Sequence, residues 1–212
     1  MTKAKICGLS TPEAVEAALA GGAAYLGFVF YGASPRNVTP EQAAQLAAPA
    51  RGKAKIVALM VDPAWPQIEA VVTALLPDFV QLHGDEKPYR ISEISRQAGR
   101  PIIKALPVST AADIRDAQAY DGLVAHLMFD AKPPKDAALP GGNGVAFDWT
   151  LLSGVKFQQP HFLAGGLDPW NVEEAVRMSG APLVDVSSGV ERGPGLKDPA
   201  LITEFLDAVR RT

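Results

Sequence analysis

Eight short apolar runs punctuate the chain: AKICG, AYLGFVF, KIVALMV, DFVQLH, PIIKAL, VAHLMFDA, HFLAG and LVDVSS. They are continuous more than alternating and rich in β-branched and aromatic residues, the pattern of strands covered on both faces. Longer amphipathic stretches separate them. Five of these open on one signal, an N-cap residue followed by proline at the first helical position: Thr11-Pro12, Thr39-Pro40, Asp62-Pro63, Asp168-Pro169 and Asp198-Pro199. After two of these starts the helical period is plain. Val172, Ala175 and Val176 share one face, as do Ile202, Phe205, Leu206 and Val209.

Strand and helix thus alternate in units of roughly 25 residues, which predicts an α/β protein, a (βα)8 TIM barrel, as a single domain over residues 1–212. A doubly wound open sheet shows the same alternation. Against it, the first βα turn, CGLSTP, lacks the glycine-rich dinucleotide fingerprint, and eight units are more than that fold needs. One long irregular stretch, KPPKDAALPGGNG from Lys132 to Gly144, follows the sixth run. Loops of that length are usually functional lids or mobile segments.

Composition narrows the function without naming it. With 48% hydrophobic and 20% charged residues in 212, the chain reads as globular with a sizeable core. A net charge of −3 leaves no general basic field for nucleic acid or an anionic membrane. The apolar runs are too short to span a bilayer. The N-terminal MTKAKICGLS has neither an apolar h-region nor a cleavage site, and one cysteine cannot form an internal disulfide, so the cytoplasm is expected. His83, His126 and His161 show no ligand spacing, so no metal is expected. His126 and His161 read as residues packed in or near strands, and Arg210 and Arg211 as a favourable last helical turn.

In a (βα)8 barrel the chemistry sits at the C-terminal ends of the strands, with phosphate held by the loops after strands seven and eight. Here those loops supply Gly165 and Gly166, then Ser187, Ser188 and Gly189. Their glycines let backbone N–H groups approach an anion, a reading set against plain strand-to-helix turns. Other strand ends carry few polar residues: Cys7 after strand one, His83 after strand four, Asp130 after strand six, and Asp185 within strand eight; Arg36 lies in the loop after strand two. Each has a plainer alternative. Cys7 fits a small buried hydrophobe as well as a reactive thiol. Asp130 fits a partner of the loop beyond it, and His83 a packing residue as well as a substrate contact. Asp185 fits a hydrogen-bonding or phosphate-loop residue and a substrate contact as well as a rival acid.

KICGL, SPRNV, VQLHGDE, LMFDA, GGNGVAFDW, LAGGLDPWNV and VDVSSGVERGPGLKD, in this order along nearly the whole chain, resemble the phosphoribosylanthranilate isomerases of tryptophan biosynthesis. The resemblance implies a (βα)8 barrel without metal or organic cofactor. It implies an Amadori rearrangement of N-(5-phosphoribosyl)anthranilate to 1-(2-carboxyphenylamino)-1-deoxyribulose 5-phosphate, with a small phosphorylated substrate as the partner. By the same resemblance Cys7 is the general base, Asp130 the general acid and Arg36 the grip on the anthranilate carboxylate, while Gly165, Gly166, Ser187, Ser188 and Gly189 take the phosphate. Family members would carry threonine at position 143 and often a basic residue at 145, where Asn143 and Val145 stand here.

The residue types suit that reaction. An acid protonates the furanose oxygen so that the ring opens, and a base removes the C2 proton of the resulting iminium. Only a thiolate can accept that proton, and the amides of the helix after Thr11 are expected to favour it. Asp130 must instead carry its proton until substrate is in place. A related isomerase of histidine biosynthesis has aspartate where Cys7 stands, which sets it aside. A non-catalytic phosphate-binding barrel would not need Cys7, Asp130 and Arg36 together. A monomer is favoured, with a homodimer as the alternative.

Overall fold

The computed structural model describes residues 1–132, 141, 142, 144 and 146–212. Eight strands run parallel, each paired with the next in sequence: β1 (Lys3–Cys7), β2 (Tyr25–Phe30), β3 (Lys55–Met60), β4 (Phe79–Leu82), β5 (Ile102–Val108), β6 (His126–Ala131), β7 (Phe162–Leu163) and β8 (Leu183–Val186). The ring closes where β8 returns to β1, with Lys5 opposite Asp185 and Ile6 opposite Val186. All eight apolar runs are strands of one closed barrel, so the open-sheet alternative falls.

Among the described residues, seven α-helices cover the barrel: α1 (Pro12–Ala20), α2 (Pro40–Ala47), α3 (Trp65–Leu75), α4 (Pro88–Ala98), α5 (Ala111–Asp116), α6 (Val172–Ser179) and α7 (Pro199–Arg210). The expected alternation is broken between β6 and β7, where the described residues form only a 3₁₀ turn, Trp149–Leu152. Most of the long stretch from Lys132, including 133–140 and Asn143, lies outside the described residues, as does Val145. A short antiparallel hairpin, β9 (Glu191–Gly193) and β10 (Leu196–Lys197), is inserted before α7, and the apolar pattern had not announced it.

Three of the five threonine- or aspartate-proline signals start helices as expected. Thr11 caps α1 through Ala14 N, Thr39 forms a capping box with Gln42, and Asp198 caps α7 through Ala200 N. The other two do not. Asp62 adopts a left-handed backbone, φ 43°, and its carboxylate accepts from Asp85 N, so α3 begins only at Trp65. Asp168 accepts from the amides of Trp170 and Asn171 in a turn, and α6 starts at Val172.

The period of two along each strand divides the core. Outward residues such as Ile6, Leu26, Phe28, Ile56 and Phe129 pack under the helices in the main cluster. Inward residues fill the barrel: Val57, Ile103, Ala105, Met128 and Phe162 are buried, with Tyr25, Phe79 and His126 stacked on Phe162 and one another at the N-terminal end of the strands. This aromatic layer is the barrel's floor. Above it the interior turns polar, and the site begins there.

Candidate active site

On β1 the inward positions are Lys5 and Cys7, on β4 Gln81 followed by His83, on β6 Met128 and Asp130, and on β8 Asp185 followed by Ser187. Strand alternation alone therefore stacks the chemistry in the upper barrel. One cavity of about 820 Å³, measured out to its open mouth, is lined by Cys7, Arg36, His83, Asp130, Asp185 and Ser187, and also by Gly165, Gly166 and Ser188. Nine of the ten residues singled out in the sequence meet there. The exception is Gly189, where a Cβ would overlap the Leu167 carbonyl: its lack of a side chain packs the turns after β7 and β8 together.

Asp130 is 7% exposed; its Oδ2 lies 3.2 Å from His83 Nε2, and its Oδ1 accepts from Ala131 N at 2.9 Å. The carboxyl group is thus pinned from two sides and aimed at the cavity. Gly165, at φ 83°, sits so close below it that a Cβ would press on Ala131 N and Asp130 Oδ1. Gly141 lies over the His83–Asp130 pair, and Gly142 over the Arg36 guanidinium. These residues are among the described parts of the loop after β6, and with Lys132 and Gly144 they line the site.

Arg36 is buried and not free. Its Nε and Nη2 donate to the two carboxylate oxygens of Glu191 at 2.7 and 2.9 Å, the paired geometry that only a guanidinium offers. Lys197 Nζ, also buried, bonds the same carboxylate as well as the carbonyl and hydroxyl oxygens of Ser187. Ser187 Oγ in turn donates to the Cys7 carbonyl at 3.2 Å. Burial disfavours the Glu191 charge, but Arg36 and Lys197 outweigh it and hold the carboxyl below its usual range. Burial pushes the Lys197 ammonium below the lysine range despite Glu191. Gly8, at φ 78°, leaves room for the Arg36 stem to cross.

The comparisons with known proteins bear on this cavity. Residues 4–208 match the family model for N-(5'phosphoribosyl)anthranilate (PRA) isomerase. The chain is 61% identical over 212 residues to an N-(5'-phosphoribosyl)anthranilate isomerase of Caulobacter sp. strain K31, covering all of both chains. With the protein of that name from Caulobacter vibrioides it shares 60% over 209 residues, 98% of this chain and 95% of the other.

The chain belongs to the N-(5'-phosphoribosyl)anthranilate isomerase family.

Solved structures of the family agree with the barrel. A crystal structure of phosphoribosyl anthranilate isomerase from Thermotoga maritima matches with TM-score 0.89 at 32% identity over the full length of both chains. Another, in complex with reduced 1-(o-carboxyphenylamino)-1-deoxyribulose 5-phosphate, matches with TM-score 0.85 at 30% identity, again over all of both chains. A third, at TM-score 0.83 and 30% identity over all of both chains, is of monomers generated from the dimeric Thermotoga maritima enzyme.

Against the family's motifs, the sequence missed four interior residues. Lys5, Glu191 and Lys197 are buried charges, and Gln81 is a buried amide whose Oε1 is unpartnered among the described residues. Lys5 and Gln81 each interrupt an apolar run with a polar residue, the signal that would have found them. Glu191 and Lys197 sit in a loop-like segment and carry no such signal. The electrostatics of Cys7 also differ from expectation. Burial pushes its thiol above the usual range, partly offset by Lys5 and Lys197 and reinforced by Asp185. The sequence pointed to the α1 amides to support a thiolate; the cation beside the sulfur is Lys5.

Proposed function

We propose that Cys7 and Asp130 divide the two proton transfers of the family's reaction, as base and acid, over a substrate anchored at both ends. The activity itself follows from family membership: this is an isomerase of tryptophan biosynthesis that converts N-(5-phosphoribosyl)anthranilate to 1-(2-carboxyphenylamino)-1-deoxyribulose 5-phosphate. The carrying observation for the division of labour is the placement of Cys7 on β1 and Asp130 on β6, three strands apart around the ring and lining one cavity.

With Arg36 on one side of that cavity and the Gly165–Gly166 and Ser187–Ser188 turns on another, a ligand with an anthranilate carboxylate at one end and a phosphate at the other spans the mouth. Its sugar then lies between Cys7 and Asp130. Asp130, carrying a proton, gives it to the furanose oxygen; the C1–O bond breaks and the anthranilate nitrogen supplies the electron pair of the C1–N iminium. His83, 3.2 Å from Asp130, fixes which oxygen of the carboxyl group faces the ring. The Cys7 thiolate removes the C2 proton, electrons flow to the iminium, and the enolamine tautomerises to the ketose. The ligand of the similar isomerase solved in complex with reduced 1-(o-carboxyphenylamino)-1-deoxyribulose 5-phosphate has the two charged ends, carboxyl and phosphate, that this arrangement requires.

The biosynthetic pathway and the lone free cysteine support the cytoplasm as its compartment. The test is the loss of anthranilate fluorescence on mixing phosphoribosylanthranilate with protein. Cys7→Ser and Asp130→Asn are each expected to lose at least about a hundredfold in kcat, within the usual range for removing a general acid or base, with an unchanged circular dichroism spectrum. Turnover at the wild-type level in either variant removes that residue from its role.

A further inference from the structure

Cys7 is 3% exposed, and a thiol so deep in a barrel is a poor proton acceptor unless a cation is close. Three charged groups face it: Lys5 on its own strand, Asp185 on β8, and Lys197 on β10. Lys197 is committed to Glu191 and Ser187. Lys5 is not so fully committed. Its side chain is completely buried, and Nζ donates to Asp185 Oδ1 at 2.8 Å, which uses one of three ammonium protons. A Cβ on Gly27, the β2 residue opposite Cys7, would lie 3.0 Å from Lys5 Nζ and 3.1 Å from Cys7 Sγ. The ammonium and the sulfur thus share the space left by the absent side chain of Gly27. Burial opposes the Lys5 charge, yet Asp185 and Cys7 outweigh it and the group stays protonated above the usual range. A buried ion pair is a costly way to fill this space, since an apolar side chain of similar volume would do so at least as well.

We propose that Lys5 is a positioning residue for the base: its ammonium, anchored by Asp185, is the counter-ion of the Cys7 thiolate, and Asp185 limits how much of that charge the sulfur feels. The inference rests on the reading of Cys7 as the base. When the thiolate takes the C2 proton it becomes a neutral thiol, and Lys5 stays paired with Asp185 alone. The charge lost at sulfur therefore leaves no buried cation without a partner. Asp185 is assigned here to tuning the base, not to donating a proton.

Because Cys7 is the only cysteine in the chain, the ultraviolet absorbance of thiolate, taken against Cys7→Ser, reads this one group without substrate. Lys5→Met is expected to raise the titration midpoint by about one unit or more, and Asp185→Asn to lower it by a similar amount, the size of effect a neighbouring charge has on a buried group. The double variant Lys5→Met/Asp185→Asn, which leaves no lone buried charge, titrates above Asp185→Asn and serves if Lys5→Met does not fold. In turnover, Lys5→Met lowers kcat about tenfold for each unit of midpoint shift, with KM little changed, and recovers as pH rises. A Lys5→Met midpoint equal to the wild type's, or a double-variant midpoint no higher than that of Asp185→Asn, overturns the proposal, as does a midpoint that Asp185→Asn leaves unmoved. Shifts of the same sign in both single variants, as loosened packing would give, also overturn it. Activity retained by Cys7→Ser would instead remove the base assignment, and the thiolate titration would still read the counter-ion.

Discussion

Arg36, proposed above to grip the substrate carboxylate, is held in place before any ligand arrives. An arginine side chain loses substantial rotamer freedom when fixed, and Glu191 has already fixed this one with two short hydrogen bonds. The Nη1 edge that remains lies under Gly142. Arg36→Lys removes the paired geometry, so KM is expected to rise about tenfold or more while kcat changes little, the loss of one charge-assisted bidentate contact. Glu191→Gln should raise KM in the same direction by releasing the guanidinium. Steady-state kinetics on both variants check this, and an unchanged KM in Glu191→Gln would show that Glu191 does not orient Arg36. Cys7, His83 and Asp130 were visible in the sequence because such groups at the ends of apolar runs stand out, and Arg36 because it falls in the SPRNV motif. Glu191 was not, since its partner lies 155 positions away and only barrel closure brings the two together.

Among the elements, the turn after β7 packs closely on the end of β6. Gly165→Ala would place a methyl group against the Ala131 amide and Asp130 Oδ1 at a left-handed φ. The expected result is a destabilisation of about 1–3 kcal/mol from strain and a larger loss in kcat than in stability, measured by denaturant melts beside kinetics. A second element-scale pair holds the loop that bears His83. Lys104 Nζ on β5 donates to the Gly84 carbonyl and to Glu86, both at 2.6 Å, while Glu86 accepts from the amides of Asp62 and Gly84. Lys104→Met strands that carboxylate in the interior and is expected to cost about 3–5 kcal/mol, read as a fall in denaturation midpoint. Element positions were largely legible, because buried strands leave continuous apolar runs. Helix starts were legible only where the local dihedral agreed with the signal. Asp62-Pro63 has the residues of a cap, but Asp62 turns left-handed to reach Asp85, a contact between two separate loops that no local pattern encodes.

At the scale of the whole molecule, acid stability turns on a histidine outside the site. His161 is 8% exposed, wedged against Phe129 and Phe157, with Nε2 unpartnered among the described residues. Burial pushes its pKa down from 6.5 to about 4. The unfolded chain therefore binds a proton below about pH 6.5 that the folded protein refuses until about pH 4. This contribution is present in full above about 6.5 and is lost as pH falls to about 4, up to about 3 kcal/mol in all. His161→Phe is expected to flatten that acid limb in a plot of unfolding free energy against pH; a limb as steep as the wild type's would assign it to other groups. No helix among the described residues is long and apolar enough to cross a membrane.

The aromatic floor of Tyr25, Phe79, His126 and Phe162 has a kinetic consequence. With the barrel filled at that end, reactant and product bound as proposed use the same opening and lie on the same ring of side chains. Product therefore excludes reactant at the one site where both bind. In a progress curve the rate decays faster than consumption of reactant alone explains, and added product changes the slope of a double-reciprocal plot while leaving its intercept on the rate axis in place.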